Sequence, residues 1–216
     1  MPPKKARLCT IVLAASKGGV GKTTLASALA VRAAADGARV ALLDTDPQLS
    51  LARWHELRGM PANPKVLDVD ASSEALALVQ TQRWDYLIVD TPPALLDRIQ
   101  AAIYIADVVV IPVRPSALDV EAVADVVTIC RDAGKRFAFL LNQVPPTGFA
   151  RLALGTRKYL ESDGPILRAQ IGMRKAYVAA MTVGKSGPEL KDAAAVAEMD
   201  ALWSELLVLA RVPNER

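Results

Sequence analysis

Five short apolar runs, "LCTIVLAA", "RVALLD", "YLIVD", "DVVVIPV" and "FAFLLN", recur along the chain, rich in Val, Ile and Leu. Each is nearly continuous and stops at small, acidic or turn-forming residues. A strand with one wet face alternates apolar and polar residues, whereas a strand covered on both faces does not. The runs therefore read as doubly buried strands. Between them lie stretches with helical spacing. Thr23 to Asp36 is one, with Gly37 placed as a stop, and Leu118 to Ala133 is another, followed by Gly134. Such alternation implies right-handed crossovers and an α/β fold, a mostly parallel central sheet with helices on both faces. Ligands in these sheets gather at the carboxyl ends of the strands.

At 216 residues and 52% hydrophobic, the chain is expected to form one domain, residues 1–216, with a substantial core. "PANPK" and "VPPTG" read as loops, and no repeat or long linker interrupts the pattern. Cys9 and Cys130 sit in apolar surroundings and read as buried free thiols of a reducing compartment. The single histidine, His55, has no Cys or carboxylate cluster at ligand spacing, which argues against zinc. The basic lead of "MPPKKARLCTIVLAAS" runs into a Gly-rich loop, so it reads as a first strand rather than a signal peptide. With no apolar stretch of membrane-spanning length, a cytoplasmic protein is expected.

The first run is followed by "SKGGVGKTT", Ser16 to Thr24, and then a helical pattern. Strand, Gly-rich loop and helix in that order form a phosphate cradle. Backbone N–H groups of Gly18, Gly19, Val20 and Gly21 point inward, and the glycines permit close approach. Lys22 reaches the terminal phosphates, Thr23 offers a hydroxyl to Mg²⁺, and Thr24 continues the loop into the helix. The usual pattern is G-x-x-x-x-G-K-[ST]. Here Ser16 replaces the first Gly and a second lysine, Lys17, follows.

On these residues the chain resembles the deviant Walker A family of P-loop NTPases, which includes the ParA partition ATPases and the division-site ATPase MinD. The resemblance implies ATP and Mg²⁺ as cofactors, and a Lys17 that reaches across a dimer interface to the partner's nucleotide. An ammonium there stabilises charge developing at the transferred phosphate. "DTDPQ" extends the likeness: Asp46 is implied to position the attacking water and Asp44 to stand near Mg²⁺ or its waters. An Asp before "PQLSLARW" also suits a helix cap. "YLIVDTPP" places Asp90 where a carboxylate holds Mg²⁺ through water, with Thr91 to Pro93 as a switch segment. The family often has Gly next; here Ala94 stands, which implies a less mobile loop. Asn142, after "FLL", sits where relatives hold the adenine edge, and the absence of N-K-x-D favours ATP over GTP. Arg114 reads equally well as an interface residue or a solvated one.

Net charge is +3, but its distribution is uneven. Eleven Lys/Arg and four Asp/Glu lie between Arg131 and Lys191. That is either a solvated face or a surface for a polyanion. The family resemblance, weaker over "QIGMRKAYVAAMTVGKSGPE", implies phosphate-backbone contacts from Arg168, Arg174, Lys175, Lys185 and Lys191. Tyr177 alone is a poor stacking platform, so salt-sensitive contact rather than base readout is expected.

The resemblance thus implies an ATPase whose ATP-bound homodimer coats DNA nonspecifically, nucleoid-associated, until a small centromere-binding ParB-like protein or a cargo adaptor stimulates hydrolysis. Too few residues precede the first strand for the N-terminal helix-turn-helix of larger relatives. The alternatives are a MinD-like membrane-associated ATPase, a positioning ATPase for a protein cargo, or a small-molecule P-loop enzyme. "AAAVAEMDALWSELLVLAR" puts Val196, Met199, Leu202, Trp203, Leu206 and Leu207 on one face and Glu198, Asp200 and Glu205 on another. Anionic lipid would repel that acidic face, so the helix is expected to pack on the core and no membrane is expected.

Overall fold

The computed structural model describes residues 7–68, 79, 83–146 and 150–211. Part of the "VPPTG" loop and the residues ahead of Arg7 lie outside these. Among the described residues the strands are β1 (Cys9–Leu13), β2 (Val40–Asp44), β3 (Lys65–Leu67), β4 (Tyr86–Asp90), β5 (Val108–Val113), β6 (Phe137–Val144) and β7 (Ile166–Gly172). They form one sheet in the order β3-β2-β4-β1-β5-β6-β7, and every pairing is parallel.

The helices are α1 (Lys22–Ala35), α2 (Ser50–Leu57), α3 (Leu96–Ile105), α4 (Ala117–Glu121), α5 (Ala124–Asp132), α6 (Ala150–Asp163), α7 (Lys175–Met181) and α8 (Ala193–Arg211), with a 3₁₀ turn at Gly187–Leu190. They cover both faces of the sheet. Ile11, Leu13, Leu42 and Ile88 pack with Leu25, Leu29, Trp54, Met199 and Trp203. The alternate residues Val12, Leu43, Leu87 and Val89 pack with Ile99, Ile103, Val126 and Leu160. Successive strand side chains point to opposite faces, so two cores require the continuous apolar runs seen in the sequence.

α8 lies on the core, as its apolar face requires: Met199, Leu202, Trp203 and Leu206 are buried, while Val196 is exposed. Its acidic residues are not a solvated face. Asp200 bonds Arg32 of α1, Glu198 bonds Arg174, and Glu205 accepts from the backbone N–H groups of Arg168 and Ala169. The expected helix from Leu118 to Ala133 is broken into α4 and α5 around Ala122 and Val123. Ser16 Oγ donates to the Ala122 carbonyl at 2.5 Å, at the position of the break. Cys9 and Cys130 are free thiols pushed up to about 11 and about 12, chiefly by burial. His55 is buried, its Nε2 3.2 Å from the Pro61 and Pro64 carbonyls.

Candidate functional site

β1 is flanked by β4 and β5, so the loop that leaves its carboxyl end emerges mid-sheet. That loop delivers residues 14–21 to the start of α1. Gly21 precedes the helix at φ 88°, and neither a capping side chain nor an acidic residue occupies the first turn. The orphan N–H groups of the turn, with the positive helix end, are thereby left for an anion. Gly21 is also forced by space, since a Cβ there would lie 2.5 Å from Asn142 Nδ2.

The two lysines of the loop point to different places. Lys22 is buried, with Nζ 3.3 Å from the Lys17 carbonyl oxygen. Burial pulls its pKa down, against the opposing fields of Asp90 and Asp46. Lys17 instead ion-pairs with Asp119 of α4 at 2.6 Å. Asp119 is buried and also takes both arms of Arg114, at 2.8 and 3.0 Å. Burial works against its charge, but the bonds from Arg114 and Lys17 prevail and hold the carboxyl below its usual range. Arg114 is therefore a partner of Asp119, not a freely solvated side chain.

Asp90 ends β4 and is buried. Thr23 Oγ1 donates to its Oδ2 at 2.6 Å, and its Oδ1 is buried with no hydrogen-bond partner. Burial above all, then the neighbouring Asp44, pushes this carboxyl up to about 7 in spite of the Thr23 bond. A threonine hydroxyl and an orphaned carboxylate oxygen side by side fit Mg²⁺, which takes few protein ligands and completes its shell with water and phosphate.

Asp44 is paired in register with Asp90. Its carboxylate, however, accepts from the backbone N–H groups of Asp46, Leu51 and Ala52 at 3.1, 2.9 and 3.0 Å. It thus caps α2, whose own N-cap residue Leu49 has no side-chain bond. The capping role open to Asp46 falls to Asp44, and Asp46 keeps one bond, from Gln48 N–H at 2.9 Å. Around them, the Thr45 N–H and hydroxyl both donate to the Asp90 carbonyl, and Arg98 donates to the Thr45 carbonyl at 3.0 Å. Ala94 N–H donates to Ser16 O at 2.8 Å, with Ala94 held at φ 58° where the family often has Gly.

Asn142 lines a cavity of about 300 Å³ with Gly21, Thr24, Leu25 and Tyr177, beside the phosphate loop. Its amide nitrogen donates to the Val20 carbonyl at 2.6 Å, a contact within the chain that the sequence did not announce.

The five basic residues are not brought together as equals. Arg174 is half-buried, lines the same cavity, and is bound through Nε and Nη2 to Glu198 at 2.6 to 3.1 Å. It is committed to the fold, and Tyr177 is buried beside Glu198, unable to stack on a base. Arg168, Lys175, Lys185 and Lys191 are exposed, and none has a salt bridge among the described residues. Lys185 sits on a loop fastened to α2. Trp54 Nε1 donates to its carbonyl, Arg58 donates to Gly184 O, and Gly184 lies so close that a Cβ would meet Arg58 N at 2.3 Å.

Sequence reasoning missed Asp119, Arg98, Glu198 and Gln143. All four act on residues distant in the chain.

Known proteins share this fold. The family described as "CobQ/CobB/MinD/ParA nucleotide binding domain" matches residues 11–186. The "Maintenance of carboxysome distribution protein A" of Gloeobacter kilaueensis is 32% identical over 197 residues, 86% of this chain and 87% of that protein. The "Chromosome-partitioning ATPase Soj" of Thermus thermophilus is 32% identical over 150 residues, 56% of this chain and 60% of that one. Among solved structures, an ATP complex of a Cyanothece McdA variant superposes with TM-score 0.75 at 19% identity, covering 93% of this chain and 97% of that one. MinD of Pyrococcus horikoshii with Mg-ADP gives 0.74 at 19% identity, covering 95% and 98%.

Proposed function

The chain belongs to the CobQ/CobB/MinD/ParA nucleotide-binding family, with ParA/MinD-type ATPases as relatives, and on that premise we propose that it is a DNA-borne positioning ATPase. It uses ATP and Mg²⁺. In the proposed site Gly18, Gly19, Val20, Gly21 and Thr24 cradle the phosphates, and Lys22 neutralises the terminal ones. Thr23 and Asp90 hold Mg²⁺, which when bound neutralises charge on the terminal phosphates. Asp44 contributes its field at one remove, because its oxygens are spent on the backbone N–H groups of Asp46 and α2. Asp46, with a single bond, is the carboxylate free to orient water, and Asn142 borders the adenine cavity.

One observation carries the reading. Lys22 folds over its own loop, whereas the Lys17 ammonium, its side chain partly exposed, pairs with buried Asp119 of α4 instead. A second ammonium aimed away from its own phosphates suits a partner subunit's nucleotide, so ATP drives homodimerisation. The dimer binds nonspecific DNA through Lys175, Lys185, Lys191 and Arg168. Hydrolysis, stimulated by a small ParB-like centromere-binding protein or a cargo adaptor, releases it. The carboxysome-distribution relative, matched over 86% of this chain, favours the adaptor of a protein cargo. A cytoplasmic, nucleoid-associated protein follows. Among the described residues no helix is long and apolar enough to cross a membrane.

The test is fluorescence anisotropy of a labelled random duplex with ATP, ADP or no nucleotide. Binding with ATP alone is expected. Equal binding in all three states, or vesicle binding without DNA binding, would overturn the proposal.

A further inference from the structure

Two consecutive side chains of β6 converge on the phosphate loop. Asn142 Nδ2 donates to Val20 O at 2.6 Å, and Gln143 Nε2 donates to Gly19 O at 2.8 Å. In a regular strand they would point to opposite faces. Here Gln143 adopts φ 55°, and the β6–β7 register shifts between Leu141 and Val144. An irregularity of this kind re-aims side chains at a strand end. Both amides consequently reach the same loop.

Their target has a definite consequence. In a planar trans peptide the C=O of one residue and the N–H of the next point in opposite directions. Drawing the Gly19 carbonyl toward β6 turns the Val20 N–H the other way, and drawing the Val20 carbonyl turns the Gly21 N–H. We propose that Gln143, together with Asn142, is a positioning residue for phosphate binding: the two amides hold the Gly19–Val20 and Val20–Gly21 peptides so that their N–H groups face the cradle before nucleotide arrives. Gln143 touches no reacting atom. Its contribution is preorganisation, which lowers the cost of ordering the loop on binding. The proposal concerns ATP binding alone and stands apart from the DNA reading.

Gln143→Glu keeps shape but sets a carboxylate against the Gly19 carbonyl, and Gln143→Met removes the donor without adding charge. Titration with a fluorescent ATP analogue should show affinity falling about tenfold for Gln143→Glu and about threefold for Gln143→Met. KM for ATP should rise more than kcat falls. Inorganic pyrophosphate, measured by displacement of the analogue, should suffer the same penalty, because it carries the phosphates and no base. The melting temperature of the nucleotide-free variants should match the parent. Unchanged affinity in Gln143→Glu would overturn the proposal. So would a penalty seen with ATP but absent with pyrophosphate, which assigns the amide to the base. A fall in nucleotide-free melting temperature that parallels the affinity loss would reduce Gln143 to a structural residue and likewise overturn it.

Discussion

At the phosphate loop the residues proposed to act on the nucleotide are neighbours in sequence, and the fold keeps them so. Lys17, Lys22 and Thr23 arrive together, and the strand ends bring Asp44, Asp46 and Asp90 alongside. In the stretch from Arg168 to Lys191 five cations lie close in sequence, and the fold divides them. Arg174 is taken by Glu198 of α8, and the other four are left on the surface. A backbone motif carries its own geometry, because loop conformation and helix start are local. A charge cluster has no such rule, and each cation is claimed or released by whatever element packs nearby.

Breaking the loop should have the largest effect. Lys22→Ala removes the buried ammonium over the cradle, and ATP affinity should fall about 100-fold or more, the loss of a buried charge-assisted contact. Titration with a fluorescent ATP analogue measures it. Near-parental affinity would remove Lys22 from the site.

Asp46→Ala separates binding from turnover. Because Asp44 rather than Asp46 caps α2, the variant should fold, bind ATP and dimerise, while hydrolysis drops about 100-fold. Size-exclusion chromatography with ATP should show a persistent dimer. A monomeric variant would point to a structural role for Asp46.

The basic stretch can be divided in the same way. Lys175→Glu and Lys185→Glu should weaken DNA binding with ATP affinity unchanged, each lost contact reducing the salt slope by about 0.9. Arg174→Ala should leave that slope unaltered and cost about 1 kcal/mol of stability, a figure kept low because the pair is partly exposed. Salt-dependent anisotropy and thermal melts distinguish the two. An equal slope change for Arg174→Ala would return it to the DNA surface.

Acidity probes the carboxylate at the end of β4. Asp90, pushed up to about 7, holds its proton more tightly than an unfolded aspartate near 4. The stability this contributes is full below about pH 4 and is lost as pH rises through about 7. Melting temperature should therefore fall between pH 5 and 8 more steeply in the parent than in Asp90→Asn. Parallel curves would contradict the burial of that carboxyl.

The smallest effect is expected at Ala94, whose φ of 58° strains any residue with a Cβ. Ala94→Gly should raise stability by about 0.5 kcal/mol, seen as roughly 1–2 °C by calorimetry.

The five apolar runs became β1, β2, β4, β5 and β6, because burial on both faces imposes a pattern that composition alone reveals. β3 was too short to register, and β7 alternates, with Arg168 and Gln170 exposed between buried Leu167, Ala169 and Ile171. Both are edge strands. The single helix expected from Leu118 to Ala133 failed at a carbonyl engaged by Ser16, a contact between the segments that follow the neighbouring strands β1 and β5. The same limit applies at the site. Lys22 and Asp90 were legible from local pattern, while the partners Asp119, Arg98 and Gln143 needed three-dimensional adjacency.

The central claim is that Lys17 serves the nucleotide of a second subunit, and a mixing experiment tests it most directly. Lys17→Ala and Asp46→Ala proteins are each expected to hydrolyse ATP poorly. In a mixed dimer the Lys17→Ala chain keeps its own Asp46 and borrows Lys17 from its partner, which restores one competent site. The account predicts that the mixture turns over ATP when neither parent does. If subunit exchange is verified by fluorescence transfer and the mixture stays silent, Lys17 acts within its own chain and the account is contradicted.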